Sequence, residues 1–189
     1  MPPKPDPKLE ERILKAAQRL CRTRGEDAVT LRAVAREART TTPTVYKRFR
    51  SKEALRLALA RRIGDERNQF LFSSSSVEDT CRRYLQFSEE HPAESMLLRA
   101  YWPDVVRFDP SRPGMHWMLG LLAQRFGGMP EDYTLAFYAL YLTCHGASSL
   151  LTVPADAASH KRVRDICIKI CDTLIQNVEM LRPVATTES

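Results

Sequence analysis

Apolar residues recur three and four positions apart along most of the chain, and nowhere do they alternate with polar residues between turn pairs. Leu9, Ile13, Ala16, Ala17 and Leu20 form a first helical stripe, which Gly25 is placed to end. Leu31, Val34, Ala35 and Ala38 form a second, with Thr30 in the N-cap position ahead of it. A polar break, Arg39-Thr40-Thr41, follows. The third segment, 42–49, is very short and puts Val45 and Phe49 four residues apart on one face. Ser51 then opens Ser-Lys-Glu-Ala-Leu, a capped start for a longer helix bearing Leu55, Ala58, Leu59 and Ile63. The pattern predicts three short helices and the start of a fourth before residue 63.

Past a serine cluster at 73–76, helical spacing covers 77–90, 92–106, 114–126, 131–151 and 157–181. Pro110, Pro113, Gly127, Gly128, Pro130 and Pro154 mark the breaks between these segments. No internal repeat is visible. The expected class is all-α, with about nine helices. Residues 1–8, with four prolines and two lysines, read as a flexible extended arm, and 183–189 as a frayed tail.

Composition divides this run of helices in two. Residues 1–62 hold 17 Lys/Arg and 7 Asp/Glu, a net +10, whereas residues 63–189 hold 12 and 16, a net −4. Aromatics are split the other way, 13 of 15 lying after residue 62. The reading is a polyanion-binding head over 9–62, including the start of the linking fourth helix, and a core-forming body over 63–182. The sequence contains no apolar run of the ~18 residues a membrane helix needs. The N-terminal MPPKPDPK lacks the apolar segment of a secretory signal. Five cysteines without framework spacing argue against a disulfide scaffold, so the chain is expected to be soluble, cytoplasmic and reduced.

Residues 30–49 are two short helices joined by a three-residue turn, the layout of a helix-turn-helix. Val45 and Phe49 would pin the second helix to the first and leave Thr42, Thr44, Lys47 and Arg48 for a DNA groove, with Thr41 as N-cap. Pro43 is tolerated in a first turn, where amide donors have no intrahelical partner. Threonine hydroxyls suit phosphates, threonine methyls suit thymine, and a lysine reaches a phosphate or a guanine edge.

The string TLRAVAREARTTTPTVYKRFRSKEALRLAL, from Thr30 to Leu59, resembles the TetR (tetracycline-repressor) family of bacterial regulators. Val-Tyr-x-x-Phe-x-Ser-Lys-Glu-x-Leu is its specific part, and Ile13-Leu14-x-Ala-Ala-x-x-Leu extends the likeness into the first helix. Two positions depart from the family pattern: its turn glycine is Arg39 here and its turn valine is Thr40. By position, the resemblance implies that Thr30 caps its helix and touches a phosphate, and that Thr41, Thr42 and Thr44 approach the groove. It implies that Tyr46 bonds a phosphate, Lys47 a base or phosphate, and Lys52 the backbone at the next helix start. Beside this stand plainer readings, in which Tyr46 packs its ring and Arg48, Arg50 and Arg56 are solvated charge.

For the body, the resemblance implies a ligand cavity among central helices and a homodimer through the last two. The stripe Val163, Ile166/Cys167, Ile170, Leu174, Val178 and Leu181, and the small residues Gly146, Ala147, Ser148 and Ser149, suit close helix packing. Leu142-x-x-His145-Gly146-x-x-Ser149-Leu150 is similar to a string of the same helix in that family. Met96, Tyr101, Trp102, Trp117, Met118, Phe137 and Tyr141 are candidates to line a cavity for an apolar or aromatic effector, the alternative being ordinary core. None of the four histidines falls in a metal-binding motif, Cys167 and Cys171 read as buried thiols, and no nucleophile-base pair is visible. The expectation is a homodimeric, non-enzymatic regulator without cofactor or metal, most simply a repressor released from a palindromic DNA operator by a small effector. A constitutive dimeric regulator and a helical small-molecule carrier or enzyme are the alternatives.

Overall fold

The computed structural model describes residues 7–108 and 111–182. Nine α-helices account for most of them: α1 (Pro7–Arg24), α2 (Leu31–Glu37), α3 (Thr42–Arg48), α4 (Lys52–Phe72), α5 (Val77–Glu90), α6 (Pro92–Phe108), α7 (Pro113–Phe126), α8 (Thr134–Leu151) and α9 (Ala157–Gln176). Short 3-10 turns occupy Glu26–Ala28, Pro130–Tyr133 and Val178–Leu181, and no strand occurs among the described residues. The fold is all-α. No described helix is long and apolar enough to cross a membrane.

Element boundaries differ from the expected ones for local reasons. Pro7 and Lys8 belong to α1 rather than to the arm, since a proline at a helix start lacks only a donor that would go unmatched. The rest of the arm, 1–6, and the tail from Pro183 lie outside the described residues. The segment expected over 131–151 divides into a 3-10 turn and α8. The one expected over 157–181 stops at Gln176, where Asn177 turns its Nδ2 back to donate to the Thr173 carbonyl at 2.8 Å.

The described residues form two compact units: 7–66 with 91–108, and 67–90 with 111–182. In the first, Ile13, Ala16, Ala17 and Leu20 of α1, Val34, Val45, Phe49, Leu55, Leu59, Ile63, Leu97 and Leu98 are buried. Residues 91–108 join this unit although charge and motif leave them with the body. A carboxylate explains it. Glu94 of α6 is 1% exposed and accepts from Gln18 Nε2 at 2.8 Å and from Arg22 Nε and Nη2 at 3.1 and 2.9 Å. His91 Nδ1 lies 3.0 Å from its second oxygen. Burial pushes the Glu94 carboxyl up, but the Arg22 and Gln18 hydrogen bonds and the Arg22 and His91 charges outweigh it and hold the group below its ordinary range.

The second unit packs α5, α7, α8 and α9 around Tyr84, Leu85, Leu122, Tyr133, Leu140, Leu151 and Ile175. Among its buried polar contacts, Ser88 meets Ser148 at 2.7 Å and the Tyr133 hydroxyl donates to the Gly127 carbonyl at 2.6 Å. The apolar stripe expected on the last helix is really two faces. Cys167, Cys171 and Ile175 point into the core, while Ile166 and Ile170 are 54% and 44% exposed. On α8 and just beyond it, Leu135, Tyr138, Leu142, Leu150 and Val153 are likewise exposed.

Candidate nucleic-acid interface

Each helix of the 30–49 unit is started by a threonine. Thr30 has extended backbone and its Oγ1 accepts from the Ala33 amide at 3.2 Å, satisfying one of the unmatched donors of α2. Thr41 repeats the device on α3, accepting from the Thr44 amide at 3.3 Å, and its hydroxyl also meets that of Thr44 at 2.8 Å. Ser51 does the same for α4, accepting from the Ala54 amide at 3.0 Å.

Between α2 and α3 the chain makes a complete left-handed helix stop. The Thr40 amide donates to the Ala35 carbonyl at 2.9 Å and the Arg39 amide to the Arg36 carbonyl at 3.2 Å. That is the Schellman pattern, whose C′ residue takes a positive φ and is most often glycine. Arg39 occupies that place with φ 52°. The turn thus keeps the left-handed geometry that the glycine-to-arginine departure put in question, and accepts the strain of a β-carbon there.

Val45 is fully buried and Phe49 is 5% exposed, so α3 is pinned along one face. Its other side is open to solvent: Thr41, Thr42, Pro43 and Lys47 are exposed, Tyr46 is 57% exposed and Thr44 is half-buried, as is Lys52 at the start of α4. Of the expected groove residues, Thr41, Thr42, Tyr46 and Lys47 therefore face solvent, and the Tyr46 ring is not packed into the core. The arginines divide. Arg50 is exposed, while Arg48 lies 3.9 Å from Glu10 of α1. Arg56 is neither solvated charge nor surface. It is 9% exposed, with Nη1 donating to the Glu26 carboxylate and Nη2 to the Glu26 carbonyl, both at 2.7 Å. It ties α4 to the 3-10 turn that leads into α2. Nothing in the spacing marks it, because its partner lies 30 positions earlier.

Residues 13–59 match the family model described as bacterial regulatory proteins, tetR family. That match takes in α1, the helix-turn-helix unit and the start of α4. No curated protein matches the chain. Among solved structures, the chain is similar to a TetR from Acinetobacter baumannii AYE at 18% identity and TM-score 0.67, over 95% of this chain and 99% of that one. It is also similar to a TetR transcriptional regulator from Rhodococcus sp. RHA1 (22%, TM-score 0.61, 90% and 98% covered). A third likeness is to Salmonella enterica GusR (21%, TM-score 0.55, 95% and 98% covered). At these identities the likeness concerns the fold, and it covers 90–95% of the chain, well beyond the segment that the family model matches.

The seven residues expected to line a cavity are distributed over both units. Met96, exposed, and Tyr101 and Trp102, half-buried, belong to α6 in the first unit. The other four lie in the second. Phe137 and Tyr141, one turn apart on α8, stack at 5.8 Å and 10°. Tyr141 also stacks on His145 at 5.3 Å and meets Tyr84 edge-on at 6.4 Å. Burial pushes the Tyr141 hydroxyl up, so it stays neutral. Trp117 lies 5.3 Å from the Phe72 ring and its Nε1 donates to Ser74 Oγ at 3.4 Å, and Met118 is buried. His145 has a packing partner, its Nδ1 being 3.1 Å from the Tyr84 hydroxyl.

Proposed function

We propose that the protein is a homodimeric transcriptional repressor that leaves a palindromic operator when its body takes up a small apolar or aromatic molecule. The observation that carries this reading is the tetR head, whose α3 is anchored by Val45 and Phe49 and offers Thr42, Tyr46 and Lys47 on one open face. In use, α3 enters the major groove. Lys47 reaches a base edge or phosphate, Tyr46 and the capped N-termini at Thr30 and Lys52 hold phosphates, and Thr41, Thr42 and Thr44 approach the groove wall. A two-fold dimer sets two such helices ~34 Å or more apart, one DNA turn. The exposed apolar residues of α8 and α9 support the dimer, since a water-facing row of Leu142, Leu150, Ile166 and Ile170 is the composition of a covered surface. The Tyr141 stack supports an aromatic occupant. An effector acts by favouring one packing of the body's helices over another, and so one spacing of the two heads.

A gel-shift titration with DNA from upstream of the gene, run against excess unrelated DNA, tests the reading. Sequence-specific retention that falls on Lys47→Ala is the expected result. Equal retention of specific and unrelated DNA overturns it. A library of aromatic compounds added to the complex then separates a released repressor from a constitutive one.

A further inference from the structure

All five cysteines are buried and unbridged. Three converge from three different helices. The sulfurs of Cys81 on α5, Cys144 on α8 and Cys171 on α9 all lie within 4.8 Å of one another, and the Cys144 and Cys171 sulfurs are 3.7 Å apart. The residues are 2%, 3% and 1% exposed, within the apolar core that includes Leu85, Leu140 and Ile175. They stand 63 and 27 positions apart in the chain, so no spacing signals the group. Cys167, which the sequence pairs with Cys171, also lies beside Cys144 and Cys171, but its thiol donates to the Thr143 carbonyl, 3.7 Å away, and the three sulfurs that all lie within 4.8 Å of one another are the other three.

We propose that Cys81, Cys144 and Cys171 form a three-coordinate thiolate site for a trivalent metalloid, arsenic(III) or antimony(III), taken up as its neutral hydroxide. The first argument is distance. With metal–sulfur bonds of ~2.3 Å, sulfurs on one centre lie roughly 3.5–4 Å apart, so one pair is already spaced and the third sulfur needs a shift of about 1 Å. Donor type agrees, since thiolates select soft centres.

Charge then decides among soft centres. Three thiolates around a monovalent ion leave −2 in an apolar core, around a divalent ion −1, and around a trivalent one zero. An unbalanced buried charge is strongly unfavourable, and the surrounding core cluster is apolar. Coordination number points the same way. A closed zinc site takes four ligands, whereas the lone pair of a trivalent metalloid leaves it content with three. The exchange needs no oxidant. Three As–OH bonds break and three As–S bonds form, each thiol proton leaves with a hydroxyl as water, and arsenic stays trivalent. Neutral species enter and a neutral site results. Occupation ties α5, α8 and α9 together at one point, independently of whether the head binds DNA.

The test uses the full chain, reduced with a phosphine, and arsenite at neutral pH. Native mass spectrometry is expected to show one arsenic per chain, and X-ray absorption at the arsenic edge three sulfur neighbours and no oxygen. Cys81→Ser, Cys144→Ser and Cys171→Ser should each weaken binding by roughly ten-fold or more, with Cys21→Ser unchanged. The absorption measurement needs no variant and stands even if a serine disturbs the core; Cys→Ala variants that keep their helical circular dichroism repeat the binding series. Absence of arsenic uptake, fewer than three sulfurs at the metalloid, or retention by the triple variant overturns the proposal. Preferred uptake of zinc(II) or copper(I) in direct competition overturns it as well.

Discussion

Arg39 holds a left-handed backbone at the turn where a glycine would be unstrained, and two amide hydrogen bonds keep it there. Arg39→Gly is expected to raise stability by about 0.5–1 kcal/mol, the relief of the β-carbon clash less the extra freedom glycine has when unfolded. Chemical denaturation of the two proteins measures it, and a loss of stability refutes the strain. A second residue makes stability depend on pH. Glu94 is depressed in the folded state, so its contribution is complete above the unfolded carboxyl value of ~4.3 and is lost as pH falls through the lower folded value. Glu94→Gln should flatten that acid limb in a circular-dichroism titration; an unchanged limb assigns acid unfolding to other carboxylates. These residues also mark the limit of reading by pattern. Thr30, Thr41 and the turn were legible because capping and stop signals are local. Arg56 and Glu94 were not, because what buries them is a partner 30 or 76 positions away.

Helices inherit the same limit. The period of α9 announced a helix, yet periodicity reports that a position is apolar and not which neighbour covers it. Cys167 and Cys171 look inward while Ile166 and Ile170 look out. Only the packing of α8 against α9 separates those faces. The outward row carries its own prediction: Ile170→Glu, placed on an exposed position, should leave the helical spectrum and melting temperature of the subunit little changed and yield a monomer in sedimentation velocity. A dimer that survives both this change and Leu142→Glu moves the interface elsewhere. On α3 the anchoring pair was legible by spacing, and so was the open face, since a seven-residue helix with only Val45 and the following Phe49 apolar on its inner side has nothing else to bury.

At the scale of the molecule, the charge of the first 62 residues, net +10, coincides with the segment that matches the tetR family model. Operator binding should therefore weaken steeply with salt, and Lys47→Ala should reduce the slope of log affinity against log salt by about one per head, roughly two for a dimer. Fluorescence anisotropy at several salt concentrations reads that slope, and an unchanged slope removes Lys47 from the phosphates. The first unit has one further property, which is that its chain is interrupted: it runs to residue 66 and resumes at 91–108. A ribosome therefore cannot release a finished head when the motif-bearing residues emerge. Gln18 and Arg22 wait without their buried carboxylate until Glu94 is synthesised, after the whole of α5. The DNA-reading end of this protein, first in the sequence, is completed in mid-translation, and a gene fragment cut at the end of the recognisable motif would encode a head missing part of its own interior.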